Sequence, residues 1–163
     1  MSEFDKAENE GRTIVYSLIS GHCRNHFFTE KKNAGIDMFV TGNTGTKAVL
    51  EIKNRTAYTS TDIERLGGQM IEFKKYKDLL TQKEKGYLPL YTVVFKDKMV
   101  MWDVSIINED RFITEDKYQK TTVGEDHSTI TKRVAYLKID ECCSIVNNIN
   151  ENNNKEDSGT TYS

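Results

Sequence analysis

The chain has 163 residues, 37% hydrophobic and 29% charged, with a formal net charge of -2. That length and balance predict a single globular domain with a real core, and the charge excludes a uniformly basic nucleic-acid binder while leaving room for segregated basic patches. No apolar run approaches the roughly 20 residues of a membrane helix, and the opening "MSEFDKAENEGR" is too acidic and polar for a secretory signal. A cytoplasmic location follows as the expectation. Cys23, Cys142 and Cys143 have spacings that fit neither a zinc site nor a disulfide framework, so reduced thiols are expected. The triplet from Asn54 to Thr56 matches a glycosylation sequon, a pattern common by chance.

Residues 4–20 read as a helix, because Phe4, Ala7, Gly11, Ile14 and Leu18 recur at spacings of three and four, with Gly21 as its stop. A short strand is expected near "NHFFTE". Two further strands, about 35–41 and 47–54, flank the turn "GNTGT". Thr61 followed by Glu64 reads as a capping box that opens a second helix running to about Lys85. That helix would carry Ile63, Leu66, Met70, Phe73 and Leu80 on one side and end at Gly86. "LPLYTVVF" has the look of a buried strand, with "KMVMWDV" as its partner across "KDK". Later, "RVAYLKI" reads as one more strand and "DECCSIVNNI" as a short helix. From Asn147 the composition turns polar and predicts a disordered tail, residues 147–163. The expected organisation is one α/β domain over 1–146, with helices flanking a central mixed sheet, a core at about 5–104 and an extension at 105–146.

Two acids inside apolar strands call for an explanation, since acids are poor strand formers. A five-residue loop centred on Thr44 would set Thr41 against Lys47, Phe39 against Val49, and Asp37 against Glu51. Alternation then puts Lys53 on the same face as Glu51, roughly 7 Å along the strand. Two facing carboxylates among Ile36, Met38, Leu50 and Ile52 repel and are costly to desolvate. A hard divalent cation reverses that sign. The competing reading is a solvated strand end whose acids pair with Lys47, Lys53 or Arg55.

Asp37, then Glu51-Ile52-Lys53, lying after one helix and before another, resembles the PD-(D/E)XK nuclease superfamily. The resemblance spans roughly residues 5 to 104, and "LPLYTVVFKDKMVMWDV" looks like the last two core strands of its Holliday junction resolvase-like branch. Ile36 stands where the literal motif has proline. The resemblance implies a restriction-endonuclease-like αβββαβ core. It implies a Mg²⁺- or Mn²⁺-dependent nuclease that hydrolyses DNA, with Asp37, Glu51 and the Ile52 carbonyl as metal ligands. Lys53 would orient or deprotonate the nucleophile, or neutralise charge on the phosphate. An additional acid from the first helix is expected to be Glu10, with Glu8 as the alternative, and Gln69 would face the site from the second helix. Arg55, Tyr58, Lys74 and Lys75 are the candidate DNA contacts. Two other readings compete with this one: a resolvase-type homodimer on branched DNA, and a non-catalytic DNA-binding or interaction module on the same scaffold.

Overall fold

The computed structural model describes residues 2–29, 35–118 and 129–147. It is a mixed α/β fold. A six-stranded mixed sheet runs in the order β1(Cys23–Phe28), β2(Met38–Gly42), β3(Lys47–Arg55), β5(Leu88–Phe95), β6(Lys98–Asp103), β9(Ser144–Asn147). Only β3 and β5 pair in parallel, joined by a crossover; the other neighbours are antiparallel. A second, three-stranded sheet has the order β4(Gln69–Glu72), β8(Thr129–Leu137), β7(Ile113–Tyr118).

Helix α1(Glu3–Ile19) starts at a capping box in which Ser2 and Asp5 satisfy each other's backbone N–H groups. Its buried residues Gly11 and Val15 lie on the face of the main sheet lined by Met38, Leu50, Ile52, Val94 and Met99. A side chain at Gly11 would press on Asn54 Cβ at 3.3 Å, so glycine lets the helix approach β3 closely. Helix α3(Phe73–Glu84) and the second sheet cover the opposite face. There Tyr76 and Leu79 pack with Val49, Ile71, Tyr91, Val93, Trp102 and Leu137. No helix among the described residues is long and apolar enough to cross a membrane.

The hairpin register is the expected one: Thr41 opposes Lys47, and Phe39 opposes Val49. The long second helix is not. It is divided into α2(Ser60–Arg65), strand β4, and α3. The capping box uses Thr59 and Asp62, not Thr61 and Glu64. Glu64 instead accepts the Ile139 N–H at 2.6 Å and ties α2 to the segment after β8. Gly67 and Gly68 end α2 with φ of 101° and 116°, a left-handed pair that no helix interior accommodates. Leu66, expected on the apolar side, is exposed. The short helix expected over "DECCSIVNNI" is a 3-10 turn at Ile139–Glu141 followed by β9, which extends the main sheet beyond β6. Strand β9 ends at Asn147, and the remainder of the polar tail lies outside the described residues.

Gly68 gives a direct test of this division. A Cβ there would meet the Leu137 carbonyl oxygen at 2.7 Å, whereas nothing lies within 4 Å of one at Gly67. Gly68→Ala is expected to cost about 2–4 kcal/mol, from left-handed strain plus a backbone clash. Gly67→Ala carries the strain alone, on the order of 1 kcal/mol. Equal losses in urea unfolding would contradict the close approach of Gly68 to β8.

Candidate functional site

Strand β2 leaves its partner just before Met38. The last ladder pair is Met38 with Leu50, and Asp37 still donates its N–H to the Leu50 carbonyl at 2.8 Å. The Ile52 N–H then has no β2 carbonyl to meet, because the Ile36 and Asp37 carbonyls both turn to Thr29. The Asp37 side chain takes that place, its Oδ2 accepting the Ile52 N–H at 2.7 Å. An acid just before β2 thus completes a ladder that the backbone has left. Ile52 meets Asp37 through its N–H, while the expectation assigned a role to its carbonyl.

Glu51 comes from β3, opposite Tyr91 of β5 in the parallel ladder. It is 4% exposed, and Asp37 is 7% exposed. Burial, then the charge of Asp37, pushes the Glu51 carboxyl up from 4.5 to about 7, against the pull of Lys75 and Lys53. Lys53 follows on the same face, its Nζ 3.9 Å from Glu51 Oε1. Burial lowers the Lys53 pKa, and the Glu51 charge recovers only part of that. Lys75 reaches down from α3 and places its Nζ 2.9 Å from the same Oε1. Burial opposes the Lys75 ammonium, but Glu51 outweighs it and holds the pKa above the ordinary lysine value.

Arg12 is the site residue that the sequence reading did not name. It lies on α1, half-buried, and its Nη2 is 2.9 Å from Asp37 Oδ1 while Nη1 bonds the Thr29 carbonyl. Glu8, one turn earlier, sits 3.6 Å from the same guanidinium. Glu10 is exposed and its carboxylate faces Asn54 at 3.5 Å. Of the two helix acids, the structure joins Glu8 to Asp37, through Arg12. A third acid, Glu72 at the end of β4, pairs with Lys132 of β8 at 2.8 Å; burial would raise its pKa, but Lys132 outweighs that and holds it low.

Gln69 is not on a helix. It opens β4, is 2% exposed, and bonds its own strand through Nε2 to the Met70 carbonyl. The Tyr91 hydroxyl, whose proton burial holds firmly, donates to the same carbonyl at 3.0 Å. Gln69 therefore borders the Glu51 ladder through Tyr91, and its buried Oε1 has no hydrogen-bond partner among the described residues. Arg55 lies at the end of β3, near enough that its charge works against the protonated forms of both Lys53 and Tyr91. Tyr58 is exposed in the following loop. Lys74 is largely exposed and pairs with Asp78, 3.1 Å off on its own helix.

Among the described residues no group of three or more His, Cys, Asp and Glu side chains forms a metal cluster. The donor set is two carboxylates. Such a pair suits Mg²⁺, which keeps several waters and takes its remaining ligands from substrate phosphates. Burial, more than any shortage of cations, lifts the Glu51 carboxyl, since Lys75 and Lys53 already stand beside it and Arg12 beside Asp37. Comparison with protein-family models, curated proteins and solved structures returned no match to this chain.

Proposed function

We propose that the chain is a divalent-metal-dependent nuclease, hydrolysing DNA phosphodiester bonds on a restriction-endonuclease-like core. The observation that carries this reading is that two buried carboxylates, Asp37 and Glu51, stand within electrostatic reach of each other at the splayed end of a hairpin, with the half-buried amine of Lys53 3.9 Å from Glu51. Asp37 and Glu51 would hold Mg²⁺ or Mn²⁺, with Glu8 the helix acid linked to Asp37, through Arg12. The ion would supply charge neutralisation at the phosphate and acidify water. Lys53, with its pKa lowered by burial, is suited to accept a proton from the attacking water or to hold that water in line. Arg55 and Tyr58, beyond it along β3 and its loop, would serve as contacts to a strand's phosphate and base.

A panel of single-stranded, duplex, flap and four-way junction DNA tests the reading. Cleavage is expected with Mg²⁺ or Mn²⁺ and is expected to stop with EDTA. Preference for the junction would favour the resolvase-type homodimer. A protein that cuts none of the four under either ion is not a DNA nuclease. A second reading has one observation in its favour: both carboxylates already carry protein cations, Arg12 and Lys75. A non-catalytic module would keep such ion pairs and bind DNA without cutting it.

A further inference from the structure

Glu51 Oε1 has two lysines, and the closer one is not the motif lysine. Lys75 Nζ stands at 2.9 Å and Lys53 Nζ at 3.9 Å. Lys75 is carried by α3, one position before the buried Tyr76 and one turn before the buried Leu79, so its stem is pressed toward the sheet. Its side chain is only a fifth exposed. The Lys75 ammonium therefore occupies one of the two oxygens of the carboxylate on which a cation would sit. A divalent ion and an ammonium sharing one carboxylate oxygen would repel strongly at about 4 Å.

We propose that Lys75 is a resident counter-ion of the site, a tethered competitor that a divalent cation must displace from Glu51 before it can bind. This rests on the metal reading of the carboxylate pair. Asp78 and Glu72, paired with Lys74 and Lys132, both lie within electrostatic reach of its ammonium and could share it. A phosphate arriving with the metal would also accept it. Lys75 then keeps the site closed to free metal and open to metal that comes with a polyanion. Arg12 stands in the same relation to Asp37 through the 2.9 Å contact.

Titration calorimetry with Mn²⁺ alone, without DNA, tests this on the full chain. The titration is run at about pH 8.5, where carboxylates are ionised and lysines still carry their charge. Lys75→Met is expected to bind Mn²⁺ roughly tenfold or more tighter than the wild type. Lys75→Arg, which keeps the charge, should show no gain, and urea unfolding of both variants confirms that they fold. Equal or weaker binding by Lys75→Met overturns the role of Lys75 and leaves the metal reading standing. If neither wild type nor Lys75→Met takes up Mn²⁺, the metal reading falls and this inference falls with it.

Discussion

Glu51→Gln is expected to end metal-dependent cleavage, by about a thousandfold or more, and yet to stabilise the protein at alkaline pH. The first effect follows from losing one of two carboxylate ligands. The second follows from linkage. A carboxyl whose pKa rises on folding holds its proton more tightly in the folded state. It favours folding at low pH, and that contribution is lost as the pH climbs from 4.5 to about 7. Such a lift corresponds to roughly 3 kcal/mol. The amide escapes this penalty. The variant should therefore exceed the wild type by about 2–3 kcal/mol in denaturant unfolding at about pH 8, and by under about 1 kcal/mol near pH 5. Breaking a buried pair by removing one partner usually destabilises. Here the ionised Glu51 is already disfavoured, and Lys75 is a fifth exposed and can turn to water. A variant less stable than wild type at pH 8 would make Glu51 an anchor for the two lysines instead of a ligand held ready.

Lys53→Met is expected to reduce turnover by about 10²–10⁴-fold while leaving Mn²⁺ affinity no weaker than in the wild type. Its ammonium is held 3.9 Å from Glu51 and its pKa is lowered, first by burial. That is the environment in which an amine can serve as a base. Lys53→Arg separates the two jobs open to it. Arginine neutralises a phosphate as well as lysine does but does not give up its proton. Rates measured across a pH series should stay low in Lys53→Arg and lose the alkaline rise that a titrating amine gives. Recovery of rate by arginine would assign Lys53 to phosphate neutralisation. Loss of Mn²⁺ binding in Lys53→Met would assign it to holding Glu51 in place.

Much of the site was readable because its two strands are joined by a short loop. The glycine-rich turn at 42–46 and the alternation on either side set the register, and the register brings Asp37 and Glu51 to one end of the hairpin. What could not be read was set by distant contacts. "TSTD" offers overlapping hydroxyl and acid pairs for a capping box, and only the packing of Ser60 on Asp97 and of Glu64 on the Ile139 N–H selects Thr59 with Asp62. Ile63, Phe73 and Leu80 suit a helical stripe whether or not the helix is broken between them. The break comes from Gly67 and Gly68, whose left-handed backbone turns the chain into a strand against β8. Gly-Gly was the available signal for that break. Arg12 looks like any polar residue of an amphipathic helix, and its partner is created by the bend of β2, which has no local signature. Lys75 is one lysine of a run. The clue was its place one turn before Leu79, beside the apolar face, where a charged side chain needs a buried partner.

The most direct measurement is anomalous scattering from a crystal of the protein grown with Mn²⁺ and a short DNA. A peak is expected within about 2.2 Å of a carboxylate oxygen of both Asp37 and Glu51, with the Lys75 amine drawn away from Glu51. Absence of a peak at these two residues, with Lys75 still bonded to Glu51 and Arg12 to Asp37, would show an ion-pair cluster that holds no metal and would contradict the nuclease reading.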